Sequence, residues 1–127
     1  CSVFSQAVLA EFLKRGLLPD HLKKINAEYK AKRDLMLATL EEVMPEGVTW
    51  THPEGGLFLF LSMPEGFDAV KFYDKALDAS VAYVAGEFFH PDGSGKNTMR
   101  MNFSFMSPEK ITEGVQLLAK LLTDEIL

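Results

Sequence analysis

Arg100 is the side chain in this 127-residue sequence with the most chemical promise. It sits in a run from Thr98 to Phe105 that alternates at the two-residue period of a strand. Met99, Met101, Phe103 and Phe105 fall on one face, and Thr98, Arg100, Asn102 and Ser104 on the other. A guanidinium in a strand that otherwise feeds a core must find partners or stay exposed. Two readings stand side by side: an arginine with a structural or solvent-facing role, or a planar fork aimed at a ligand carboxylate or phosphate.

The other reactive residue types form weaker patterns. Lys96 follows Gly93-Ser94-Gly95 as a lysine follows the glycines of a phosphate-binding loop, where backbone amides cradle phosphates. The match fails twice, because His90 occupies the first glycine position and Asn97 the position of the magnesium-binding hydroxyl. His21, His52 and His90 lie in separate elements, without the close spacing that gathers ligands around zinc, so no metal site is expected. No nucleophile motif of the G-x-S-x-G kind is present, and Glu41-Glu42 reads as a helix-end pair facing solvent. With no catalytic acid, base or nucleophile marked out, Arg100 is the sole candidate.

Composition narrows the partners. The net charge of -5 opposes the positive potential needed to neutralise nucleic-acid phosphates or an anionic bilayer, so neither nucleic acid nor membrane is expected. Lys23, Lys24, Lys30, Lys32 and Arg33 share one helical segment and read as a solvated face. No run approaches the roughly 20 apolar residues of a membrane-spanning helix. The single cysteine, Cys1, cannot form an intrachain disulfide, which fits a reduced, cytoplasmic setting.

The elements that must position Arg100 are legible in the periodicity. Val8, Leu9, Phe12 and Leu13 recur at helical spacing from Ser5 until Gly16. A long helix follows Pro19-Asp20, with the stripe Leu22, Ile25, Tyr29, Met36, Leu40 and Val43, and Pro45 and Gly47 stop it. Val48 to Trp50 is a short strand. Gly56 to Met63 is a continuous apolar run that predicts a strand covered on both faces. Asp68 caps a helix running to about Ala79, Val81 to Ala85 is a further strand, and the segment to Asn97, with its Pro and Gly residues, is expected to be a mobile surface loop. Ser107-Pro108-Glu109 opens a last helix with the stripe Ile111, Val115, Leu118 and Leu122. Short strands separated by helices without a repeated βαβ period predict an α+β fold, a small largely antiparallel sheet covered by helices. With 47% hydrophobic residues there is apolar material for one core, so residues 1–127 are expected to form one domain.

In this order the residues resemble the C-terminal small domain of class I/II, fold-type I aminotransferases, especially the branch containing aminoadipate and kynurenine aminotransferases. Ala10-Glu11-Phe12-Leu13 with the Tyr29 to Met36 helix is similar to the family's connecting helix, and Pro53-Glu54-Gly55-Gly56-Leu57-Phe58-Leu59 to its P-x-G-G-aliphatic-aromatic strand. Ala76 to Gly86 resembles a segment that usually ends in Pro-Gly, here Ala85-Gly86, a departure that loosens the loop after it. Gly93 to Ser104 looks like the strand bearing the arginine that pairs bidentately with the substrate α-carboxylate, and Arg100 occupies that position.

The resemblance implies a transferase that uses pyridoxal phosphate to move an amino group between an α-amino acid and a 2-oxo acid, with a homodimer as the intact enzyme. The family's Schiff-base lysine and the residues that cradle the cofactor precede the matched region, and none of the ten lysines here lies in such a motif. The chain, which opens on Cys1 and runs at once into helical sequence, is therefore expected to be a piece of a longer enzyme that is inactive alone. The alternatives are the aminotransferase-like sensor domain of a transcription regulator and, behind it, a free-standing binding domain that reuses the fold.

Overall fold

A computed structural model describes residues 2–126; Cys1, on which the disulfide and chain-start readings turned, lies outside the described residues. The first helix, α1, spans Val3–Lys14 and begins earlier than its apolar pattern, because the Ser2 hydroxyl accepts from the Ser5 N–H and caps the open turn. Gly16 takes the left-handed conformation at φ +69°, and the chain turns there into α2, Leu18–Val43. Pro19 sits in the first turn of α2, where a missing N–H costs nothing, and Asp20 lies inside the helix rather than capping it.

Four short strands make one sheet: β1 Thr49–Trp50, β2 Phe58–Ser62, β3 Val84–Ala85 and β4 Thr98–Asn102, in the order β1-β2-β4-β3, with every neighbouring pair antiparallel. Helix α3, Ala69–Asp78, connects β2 to β3, and α4, Pro108–Ile126, follows β4. The expected α+β architecture is the one observed. Leu59 and Leu61 of β2, Ala85 of β3, and Met99 and Met101 of β4 point to one side and join a single core with Met36 and Leu40 of α2, Phe72 and Ala76 of α3, and Ile111, Val115, Leu118 and Leu122 of α4. Leu59, Leu61 and Met99 are wholly buried, each such side chain contributing about 1.5–3 kcal/mol.

Several expectations are corrected. The run from Gly56 is not covered on both faces: β2 begins at Phe58, and its residues alternate between buried and partly exposed, because α2, α3 and α4 all join the core on one side of the sheet. Of Val81 to Ala85 only Val84–Ala85 pairs as strand. The strand carrying Arg100 ends at Asn102 rather than Phe105. The Asn102 carboxamide oxygen accepts from the N–H groups of Ser104 and Phe105 and from the Ser104 hydroxyl, bending the chain, so Phe103 is buried whereas Phe105 is 83% exposed.

The basic run on α2 is not one solvated face. Lys32 and Arg33 have side chains only 12% and 18% exposed. Lys32 donates to the Ser104 carbonyl at 3.0 Å, and Arg33 to the Pro53 carbonyl at 3.1 Å. Two basic side chains thus tie the long helix to the segments that leave β4 and enter β2. Their long stems allow this, since a lysine or arginine can lay methylenes along the protein while its head finds an acceptor.

Candidate functional site

On the side of the sheet opposite the core, β4 presents Thr98, Arg100 and Asn102, and β2 presents Phe58, Phe60 and Ser62. The Cα of Arg100 pairs with Phe60 across β2 and with Val84 across β3, which places the guanidinium in the middle of this face. Its central carbon lies 4.0 Å from the ring centre of Phe58 and 4.6 Å from that of Phe89. Among the described residues it has no ion pair and no hydrogen-bond acceptor, and its Nε is buried without a partner. An arginine whose job is to staple a fold uses its donors on carboxylates or carbonyls, as Arg33 does. Arg100 instead keeps its fork free and is held by aromatic faces, an attraction worth about 0.5–2 kcal/mol per ring according to how far it is desolvated.

Phe89 reaches this place through a 3-10 turn, Gly86–Phe89, inside the segment expected to be a mobile surface loop. The turn is anchored at its start. A Cβ on Gly86 would run into the Thr98 hydroxyl and meet the Gly95 carbonyl oxygen, so a glycine is what lets this segment lie against β4, with or without a proline before it. The Phe89 ring then stands edge-on to Phe60, 5.5 Å between centres at 81°. Phe58 is a cross-strand diagonal of Arg100, a neighbour that follows only from the pairing of β2 with β4. No spacing in the sequence pointed to Phe89, because its position depends on how residues 86–97 fold back.

The remaining loop residues close the loop rather than form a second centre. The Ser94 hydroxyl donates to Asp92 at 2.7 Å and sits 3.0 Å from His90 Nδ1, all exposed. The serine proton is therefore directed at the aspartate and not at the imidazole, the reverse of what nucleophile activation needs. The Ser94 hydroxyl and N–H hold the Asp92 carboxyl below its ordinary range. Lys96 stretches toward Glu87 at 4.0 Å in place of any phosphate cradle. The three histidines are not brought together, and among the described residues no cluster of His, Cys, Asp and Glu is arranged to hold a metal ion.

The sequence profile of the family described as "Aminotransferase class I and II" matches residues 1–118. The chain belongs to that family. It is 45% identical over 125 residues to aromatic-amino-acid aminotransferase 1 of Thermococcus litoralis, covering 98% of this chain and 30% of that protein. It superposes on the crystal structure of kynurenine aminotransferase from Pyrococcus horikoshii, in complex with PMP, with a TM-score of 0.93 at 44% identity over 98% of this chain and 31% of that one. The α-aminoadipate aminotransferase LysN of Thermus thermophilus gives a TM-score of 0.90 at 33% identity over 95% of this chain and 31% of that one. The chain thus spans about 30% of the length of the relatives it matches. The branch read from the motifs is the one these relatives represent.

The residues described do not by themselves make a cradle for pyridoxal phosphate. Nine of the ten lysines lie on the helices, and the tenth, Lys96, lies in the loop before β4, where it approaches Glu87. The Arg100 face fits an anionic, partly apolar ligand group. Among the described residues no helix is long and apolar enough to cross a membrane.

Proposed function

We propose that this chain is the C-terminal small domain of a pyridoxal-phosphate-dependent aminotransferase, in which Arg100 binds the α-carboxylate of the amino acid and 2-oxo acid substrates. The observation that carries the proposal is the unpaired guanidinium held between Phe58 and Phe89 on the face of the sheet opposite the core. A planar fork with free, pre-oriented donors matches a carboxylate through two parallel hydrogen bonds. The relatives are named for aromatic amino acids, kynurenine and aminoadipate, whose side chains differ while the α-carboxylate is common to all. A carboxylate reader is the part of the site that such substrates would share.

The cofactor, when bound, supplies the electron sink for proton removal at the substrate α-carbon. The part assigned to this chain is to bind and orient the substrate, a contribution that acts through proximity. The rest of the protein would hold the cofactor, and a homodimer is the assembly that the family membership supports. The reading as a regulator's sensor domain is the weaker one: relatives described as HTH-type transcriptional regulators match this chain at 26–30% identity, below the 33–45% of the aminotransferases named above.

In the full-length enzyme, Arg100→Lys keeps the charge but loses the fork. It should lower kcat/KM for amino acids by about thirtyfold to several thousandfold, the equivalent of roughly 2–5 kcal/mol, while cofactor binding persists. Near wild-type steady-state kinetics would show that Arg100 is structural. The 127-residue chain alone, mixed with pyridoxal phosphate, should give no transaminase turnover and no borohydride-fixed adduct at one specific lysine; such an adduct with turnover would overturn the division of labour.

A further inference from the structure

The Arg100 Nε is buried and unpartnered, a state that costs free energy unless something is gained by it. The Nη groups also lack protein partners but are not sealed off in this way. Around the guanidinium stand two aromatic rings from different parts of the chain. Phe58 comes from β2, two residues along from the Cα partner of Arg100, and Phe89 from the 3-10 turn pinned by Gly86 against Thr98. Phe89 is 43% exposed and Phe58 37%, so neither is fully taken up by the core. Phe89 has a fixed orientation all the same, through its edge contact with Phe60.

We infer that Phe89, with Phe58, is a positioning residue for Arg100: the rings cover Nε and fix the guanidinium so that its Nη end meets the substrate carboxylate. The inference rests on the reading of Arg100 as the carboxylate binder. A side chain with four torsions would otherwise sample many rotamers in the open site, and the entropy of choosing one would weaken every encounter with substrate. Holding the guanidinium by ring faces rather than by a carboxylate orients it without neutralising it. A carboxylate in the same place would compete with the substrate for the same donors. The rings thus do for orientation what an ion pair does elsewhere in the molecule, as where Arg33 bonds Asp34 at 2.6 Å.

The test is a double-mutant cycle in the full-length enzyme with its cofactor, using L-phenylalanine and L-glutamate as amino donors. Phe89→Leu keeps apolar bulk and removes the ring face; it should raise KM for both donors about three- to thirtyfold with kcat changed less than about twofold. Phe89→Tyr should restore near wild-type KM, because the ring face returns. In an Arg100→Gln background, Phe89→Leu should have almost no further effect on kcat/KM, since there is no guanidinium left to orient. Equal effects of Phe89→Leu in both backgrounds would mean that the ring touches substrate directly or acts on the fold, and would overturn the inference, as would an unchanged KM in the single variant. If Arg100→Gln itself leaves kcat/KM near wild type, the carboxylate reading falls and the inference with it. If Arg100→Gln is severely impaired and Phe89→Leu is not, only the positioning role falls.

Discussion

The two faces of the sheet are built from the same strands and obey different rules. On the core face, Leu59, Leu61, Met99 and Met101 sit against α2, α3 and α4, and what matters there is volume and dryness. On the other face, one residue along each strand, Phe58, Phe60 and Arg100 keep donors and ring surface in reserve. A protein can therefore hold an unsatisfied guanidinium in place because the opposite side of the same backbone is locked by burial. A buried core and an unpaired guanidinium are separated by a single step of the strand pleat.

Substitutions on the two faces should separate in kind as well as in size. Leu59→Ala, in a site with no exposure, should destabilise by about 2–5 kcal/mol in urea unfolding of the chain. A loss below about 1 kcal/mol would show that the core face collapses around the gap and that the strands are not held as described. Arg100→Leu on the opposite face should change stability by about 1 kcal/mol or less, in either direction: the contacts with Phe58 and Phe89 are lost, but an orphaned buried donor goes with them. If it costs as much as Leu59→Ala, Arg100 is a structural arginine after all.

The smallest effect sharpens the comparison from the core side. Asp68 caps α3, and its carboxyl is held below the ordinary 3.8 chiefly by the Lys71 backbone N–H, with the Lys71 side chain and the Val70 N–H assisting against the opposing effect of burial. Because the folded value is the depressed one, this stabilisation is present above about pH 4 and is lost as pH falls through the folded value. Asp68→Asn keeps a capping oxygen and loses the charge, so the stability difference between wild type and variant should shrink between about pH 6 and about pH 3, measured as the shift in urea midpoint. A difference that does not change with pH would place the contribution of Asp68 in its shape alone.

Much of this molecule is local and so was readable from residue order. The helices α2 and α4 follow from apolar stripes behind a first-turn proline, with Pro45 and Gly47 stopping α2, and the caps at Asp68 and Ser107 from hydroxyl and carboxyl oxygens placed to accept from the next turn's N–H groups. The alternation around Arg100 marked the one strand with a polar face, and the motif around it marked the family. Where the strand stopped was less legible, because Asn102 bends the chain with a side-chain acceptor that competes with continued pairing.

What residue order could not supply is anything that depends on two distant segments meeting. Periodicity indicates that β2 is apolar, but only the placement of α2, α3 and α4 on one side decides that Phe58 and Phe60 face away from the core. Lys32 and Arg33 look like any exposed cations until Ser104 and Pro53, far along the chain, bring carbonyls to them. Phe89 reaches Arg100 only because Gly86 has no Cβ to keep the turn off Thr98. By itself the sequence determined the helices, the approximate places of the strands, the family and the one arginine worth following, since those are set by neighbours within a turn or a strand. The tertiary structure decided what surrounds that arginine, because ring faces, carbonyls and burial are assembled from segments whose separation in sequence carries no period to read.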